Sequence, residues 1–149
     1  MILIDTSALY AIINPRDQFH KRASRHLREL RNNEDVSIPQ VAMFEMMGHL
    51  TRLQGNREHC HRQRLAGLKS LYEFGWPVTF HEQIDYENAE RWWQEYADWP
   101  IDFPDAIIVA SARRVGASRI WTHDLDFPRL LSKVAPEIEA IGSGFSDWN

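Results

Sequence analysis

Met1-Ile2-Leu3-Ile4-Asp5-Thr6-Ser7 opens the chain, and its reading decides the fold. The apolar run is too short for a helix. An acid and two hydroxyl residues close it at once. This is the pattern of a strand buried on both faces that passes directly into a helix N-terminus. Strands covered on both faces belong to parallel sheets. Four further short apolar segments follow: Val36–Ile38, Trp76–Phe80, Arg119–Thr122 and Ile138–Ile141. Helical segments separate them. The spacing predicts helices over Ala8–Ile13, from Asp17 to Arg31, over about 40–54 and 57–74, from Ile84 to Tyr96, from Asp102 to Gly116, and from Phe127 onward. Asn32-Asn33 reads as a turn. Pro104 falls in the first turn of the Asp102 helix, a favoured place. The alternation implies an α/β protein of three α/β/α layers around a parallel sheet of about four to five strands.

The chain has 149 residues, a length expected of one domain. Residues 1–142 carry the pattern, and 143–149 read as a short polar C-terminal tail. Hydrophobic residues make up 44% and aromatic residues 11%, enough to fill a core and to exclude intrinsic disorder. The single cysteine, Cys60, excludes a disulfide scaffold and a Cys-based zinc cluster. His59 and His61 flank it, but adjacent helical residues point different ways, which disfavours a zinc site. No apolar run approaches the roughly 20 residues of a membrane span, and no signal peptide precedes Asp5. A cytoplasmic protein is expected. Net charge is −4, yet it is divided. Residues 1–75 hold 11 Lys and Arg against 8 Asp and Glu, and residues 76–149 hold 6 against 13. A basic half joined to an acidic half suits a polyanion beside a metal ion.

Ligands of such sheets sit outside the carboxyl ends of the strands, at the point where strand order reverses. Asp5 stands at the carboxyl end of the first strand, and Asp124 and Asp126 follow the Arg119–Thr122 strand. Asp102 and Asp105 begin the preceding helix. Glu45 is the only acid between 41 and 51, and it leans toward the apolar stripe of its helix. Each has a structural alternative. Asp5, Thr6 or Ser7 can cap the first helix. Asp102 is read as an N-cap, which leaves Asp105 for function. One of Asp124 and Asp126 caps the short helix, which frees the other. Several carboxylates on one rim repel unless a cation neutralises them. Oxygen ligands alone favour Mg²⁺ or Mn²⁺, and such an ion activates water for phosphodiester hydrolysis.

These pieces resemble a PIN-domain nuclease, especially the VapC-type toxins of toxin–antitoxin pairs. The matching stretches are Met1-Ile2-Leu3-Ile4-Asp5-Thr6-Ser7-Ala8-Leu9, then Glu45. Pro104-Asp105-Ala106-Ile107-Ile108-Val109-Ala110-Ser111-Ala112 and Thr122-His123-Asp124-Leu125-Asp126-Phe127 complete the set, in the family's order. The resemblance implies a PIN-like fold and a Mg²⁺- or Mn²⁺-dependent ribonuclease that cuts single-stranded RNA regions. It implies catalytic positions at Asp5, Glu45, Asp105 and Asp124, with metal held by Asp5, Asp105, Asp124 and the accessory Asp126. Thr6 and Thr122 match supporting hydroxyl positions. A homodimer and an antitoxin that blocks the site are also implied. The chain departs from the pattern at His123, where the family often has Arg, and in a segment with Trp92, Trp93, Trp99 and the extra Asp102.

Arg22, Arg25 and Arg28 fall near one face of the second helix, and basic residues recur over 52–69. Such a face suits RNA phosphates or an acidic antitoxin segment, and equally an ordinary solvated surface. The tryptophans fill a core or a dimer seam more readily than they stack on bases. Two alternatives to a toxin keep the same fold: an RNA-processing nuclease, and a binding adaptor without turnover. A haloacid-dehalogenase-type phosphatase needs an acid where Ser7 stands. A response-regulator receiver needs a Lys where the late strand ends in Thr122-His123.

Overall fold

The computed structural model describes residues 1–30, 35–53, 55–98 and 102–142. The expected helix end at Arg31, the Asn32-Asn33 turn, Gln54, Trp99 and the 143–149 tail lie outside the described residues. Among the described residues five strands are present: β1 (Ile2–Ile4), β2 (Val36–Pro39), β3 (Val78–Thr79), β4 (Arg119–Trp121) and β5 (Glu139–Ile141). Seven helices accompany them among the described residues: α1 (Thr6–Ile13), α2 (His20–Leu30), α3 (Gln40–Thr51), α4 (Arg57–Phe74), α5 (Gln83–Glu95), α6 (Phe103–Arg114) and α7 (Phe127–Val134).

The strands form one parallel sheet in the order β3-β2-β1-β4-β5. The chain builds outward from β1 through β2 to β3, then returns to the other side of β1 for β4 and β5. Strand order therefore reverses between β1 and β4. Ile4 pairs with Trp121 there, so the carboxyl ends of both strands finish side by side. Ile2, Leu3 and Ile4 are fully buried, as a central parallel strand covered by helices requires. The same core takes in Leu9 and Ile12 of α1, Met46 of α3, Ile107–Val109 of α6, and Phe127 and Leu131 of α7.

Several boundaries differ from the sequence expectation, each for a local reason. Helix α1 begins at Thr6 because Asp5 caps it, accepting from the amides of Thr6 and Ser7. Helix α2 begins at His20, not at Asp17. The Asp17 carboxylate instead accepts from the Phe19 amide at 2.8 Å and closes a turn ahead of the helix. β3 contracts to two residues at the sheet edge. Pro77, which has no N–H to give, contributes only its carbonyl to Ile38. Trp92 joins the core, whereas Trp93 is about half exposed against the edge of Phe103. Cys60 is buried, its thiol donating to the Leu53 carbonyl.

A buried polar chain ties α3, α5 and α6 together. The Val41 amide in the first turn of α3 donates to Nε2 of His81 at 2.8 Å. That acceptor role places the ring proton on Nδ1, which donates to Ser111 Oγ at 2.7 Å. Ser111 in turn donates to Asp85, and Asp85 is fully buried. Arg114 closes the chain through Nε and a terminal nitrogen at 2.9–3.0 Å from the same carboxylate. Burial pushes the Asp85 carboxyl up. The Arg114 guanidinium, the Glu82 amide and Ser111 outweigh that effect and hold it below its ordinary value. Burial lowers the His81 pKa, consistent with a neutral ring that relays hydrogen bonds.

Arg114→Ala is expected to destabilise the protein by about 3 kcal/mol, because it leaves a buried carboxylate without its cation. Urea denaturation at neutral pH measures the loss. Arg114→Lys should recover only part of it, since one ammonium cannot replace the two-nitrogen contact.

Candidate active site at the carboxyl ends of β1 and β4

Asp5 follows β1, and Thr122, His123 and Asp124 follow β4. The reversal of strand order makes the two turns neighbours. Asp5 is 4% exposed, and four donors hold its carboxylate. Oδ1 accepts from the Thr6 amide at 2.6 Å. Oδ2 accepts from the Ser7 amide at 3.2 Å, the Ser7 hydroxyl at 2.5 Å and the Thr122 hydroxyl at 2.9 Å. The hydroxyls are themselves oriented from the other turn. Ser7 Oγ accepts from the His123 amide, and Thr122 Oγ1 accepts from the Asp124 amide, each at 2.9 Å. Each of these two hydroxyls thus donates to Asp5 and accepts from the chain after β4.

Two helices bring the remaining acids. Glu45 projects from α3, half-buried, and accepts from the Thr6 hydroxyl at 2.6 Å. Asp105 lies in the first turn of α6. Asp5, Glu45, Asp102, Asp105 and Asp124 line one pocket of about 430 Å³. Tyr10, Asp17, Phe19, His49 and His123 complete much of its wall. Burial pushes the Asp5 carboxyl up despite its four donors. Burial likewise drives Asp105 up to about 8, with added repulsion from Asp5, Asp124, Asp102 and Glu45. The pocket thus contains more carboxylates than it can keep ionised by itself.

That donor set fits a hard divalent cation: it is rich in carboxylate oxygens and has no cysteine. Among the described residues, no three His, Cys, Asp or Glu side chains are already drawn close enough to hold an ion.

The structure brings Asp5, Glu45, Asp105 and Asp124 into one pocket, with Thr6 and Thr122 bonded to two of them. The expected cap roles change. Asp102 occupies the N-cap position of α6, yet its side chain makes no cap hydrogen bond and lines the pocket instead. Asp126 occupies the N-cap position of α7, also without a side-chain cap bond. It is not among the pocket-lining residues, and its carboxylate lies 3.9 Å from Arg129. Asp124 accepts from the Asp126 amide at 2.8 Å. Arg22 and Arg25 line a second groove next to the acidic pocket, and Arg28 does not. Ser7 is a site residue whose sequence context suggests only a cap. Its partner across the strand-order reversal, the His123 amide, carries no local sequence signal.

The PIN domain family model matches residues 2–131. No curated protein matches the sequence. Among solved structures, the chain is similar to Mycobacterium tuberculosis VapC20, described as a sarcin-ricin loop cleaving toxin. The TM-score is 0.73 at 23% identity, over 87% of this chain and 95% of that one. It is also similar to VapBC2 from Rickettsia felis bound to a promoter DNA fragment, with a TM-score of 0.67 at 15% identity over 95% and 98% of the two chains. FitAcB from Neisseria gonorrhoeae gives 0.66 at 17% identity over 95% and 97%.

Asp105 ionises near its ordinary value of 3.8 when unfolded and near 8 when folded. Between those values unfolding releases a proton, so rising pH favours the unfolded chain. Its contribution is intact below about pH 4 and is lost as pH rises toward 8. In EDTA, Asp105→Asn should therefore melt above the unsubstituted protein at pH 8, with the gap closing toward pH 4; calorimetry across that range measures it. Gly142 has φ +147°, and a Cβ there would stand 1.9 Å from the Thr122 carbonyl oxygen. Gly142→Ala should cost about 2 kcal/mol or more in denaturant titration.

Proposed function

Because the chain belongs to the PIN domain family, we propose that it is a Mg²⁺- or Mn²⁺-dependent endoribonuclease that hydrolyses phosphodiester bonds in single-stranded RNA. We further propose that it is the toxin of a toxin–antitoxin pair. The observation that carries the reading is the convergence of carboxylates from four separate stretches of chain on one pocket, with Asp105 driven up to about 8.

In this reading Asp5, Asp105 and Asp124 hold the ion. Its charge would offset a phosphate oxygen and lower the pKa of an attacking water. Asp5 is fixed by its donors before substrate arrives, so little reorganisation remains. Glu45, oriented by Thr6, would accept the proton that the water loses as it attacks phosphorus. The P–O bond to the leaving oxygen breaks, and that oxygen takes a proton from solvent, giving a phosphomonoester and a hydroxyl. Asp102 adds negative charge at the pocket mouth, and Asp126 stays outside the ligand set. VapBC and FitAB complexes among the structural neighbours support an antitoxin partner. A homodimer and a cytoplasmic site of action complete the proposal. Among the described residues, no helix is long and apolar enough to cross a membrane.

The test is cleavage of labelled single-stranded RNA by the purified protein with Mn²⁺. Asp5→Asn and Asp105→Asn should each lower the rate by more than about a hundredfold while far-ultraviolet circular dichroism is unchanged. Mn²⁺ should raise the melting temperature of the unsubstituted protein and leave these variants nearly unmoved. RNA binding that persists in EDTA, with no cleavage under any divalent ion, would instead identify a non-catalytic adaptor.

A further inference from the structure

Helix α3 carries Glu45, yet its own sequence gives it no N-terminal cap. Pro39 stands at the N-cap position without a side-chain hydrogen bond, and the first turn holds no acid. The amides of a first turn have no acceptor within their helix, so they need partners from elsewhere. His81, just after β3, supplies one. Its Nε2 accepts from the Val41 amide at 2.8 Å, and its own amide donates to Gln40 Oε1 at 3.5 Å. Each side thus takes an amide from the other, as in a capping box, but across 40 positions of sequence.

The ring is held from its other side as well. Nδ1 donates to Ser111 of α6, and Ser111 donates to the buried Asp85 of α5. Tyr86 of α5 meets the ring edge to face, with centroids 6.0 Å apart. Arg114 of α6 pairs with Asp85 and with Glu82. The first turn of α3 brings no charge to the ring. Only the neutral tautomer with its proton on Nδ1 satisfies both Val41 and Ser111. A second proton, on Nε2, would turn the acceptor into a donor facing the Val41 N–H. It would also set a positive charge at the positive end of α3. Burial lowers the His81 pKa from its ordinary 6.5; Asp85 opposes that change and Arg114 adds to it. The folded ring therefore takes a proton less readily than the unfolded one. Its contribution is complete above about pH 6.5 and is lost as pH falls through the lowered value.

We propose that His81 is a positioning residue: it caps α3 from outside the helix and so fixes where Glu45 stands in the acidic pocket. Glu45 follows Val41 by four residues, so the two share one helix face a turn apart. The 2.6 Å bond from the Thr6 hydroxyl to Glu45 requires α3 to keep its place along its own axis. The buried residues of α3 are Ala42, Met46 and Leu50. Apolar contacts of that kind are non-directional and resist a small slide less than a hydrogen bond does. Loss of His81, or a proton on it, then withdraws Glu45 from the attacking water and leaves Asp5, Asp105 and Asp124 in place. The inference rests on the ribonuclease reading for the role of Glu45 as base; the cap itself does not.

The experiment pairs Mn²⁺-dependent RNA cleavage with nuclear magnetic resonance of the whole chain, for the unsubstituted protein, His81→Ala and His81→Gln. Alanine removes the acceptor. Glutamine offers a carbonyl oxygen to Val41 and an amide to Ser111, and it does not titrate. At neutral pH, His81→Ala should speed hydrogen exchange at the Val41 amide by about tenfold. It should shift the carboxyl carbon resonance of Glu45. It should lower kcat by about tenfold to a hundredfold with KM little changed, because Glu45 acts in the chemical step. His81→Gln should return all three toward the unsubstituted values. As pH falls from about 7 to about 5, the unsubstituted protein should lose kcat and shift the Glu45 resonance in a step that His81→Gln lacks. Titration of the pocket carboxylates is common to both proteins, so the difference belongs to His81. Unchanged Val41 exchange in His81→Ala overturns the cap. An unmoved Glu45 resonance, or an unchanged kcat in a protein that cuts RNA, overturns the positioning. The same acid step in both proteins overturns the role of the His81 proton. If His81→Ala does not fold, the acid step and its absence from His81→Gln decide the matter. A protein that cuts no RNA yet shows the expected resonance and exchange changes would fail the ribonuclease reading alone.

Discussion

A carboxylate buried at the end of the central strand is the constraint on which the site depends. Asp5 cannot move out to water, because the strand before it is fully covered and the helix after it starts on its own side chain. Cap and pocket wall are one group with two duties. Four hydrogen bonds offset only part of the cost of burying its charge, and two of those come from hydroxyls whose orientation is set across the sheet. The strand-order reversal is therefore more than a convenient crevice. It lets the turn after β4 supply the donors that the turn after β1 requires. Gly142 belongs to the same arrangement, since its bare backbone is what allows β5 to close against the Thr122 carbonyl.

The helices are held to the same precision by a different device. The N-cap of α3 is Pro39, which offers no side-chain acceptor. His81 replaces it by accepting from Val41 and passes the connection through Ser111 to Asp85 and Arg114. Glu45 lies one turn beyond Val41, and Asp105 lies nearly two turns before Ser111 on α6. The buried polar chain thus spans the two helices that deliver those acids. A polar chain of this kind does little for net stability compared with apolar packing of equal volume. Its directional bonds fix the register of one helix against another.

Much of this is legible in the sequence, and the reasons are local. The Met1–Ile4 run followed by Asp5, and the alternation of short apolar segments with helical ones, require only neighbours along the chain. The same holds for Asp105 after Pro104 and for Asp124 after the late strand. The features that escape depend on partners far apart in sequence. Ser7 has a local role as a possible cap, but its bond to the His123 amide joins residues 116 positions apart. Asp102 has the sequence context of an N-cap, yet its carboxylate goes to the pocket. Spacing groups Asp126 with Asp124, and the turn separates them. The His81–Ser111–Asp85 chain has no spacing that would single it out. A helix start is hard to place where a carboxylate has two amides to choose from, as Asp17 does.

Opposite charges stand on the two sides of His123, and that arrangement carries a functional consequence. In the proposed reading, an acidic pocket alone would repel a polyanionic substrate, and a basic surface alone would bind it without chemistry. Two guanidiniums on α2 line a groove next to the carboxylates gathered around β1 and β4. The wall between them is an aromatic stack, with Phe19 against His123 at 4.8 Å. A permanently charged side chain at position 123 would bring its charge into contact with both compartments. Arginine there would offset part of the carboxylate repulsion that adds to burial in raising Asp105.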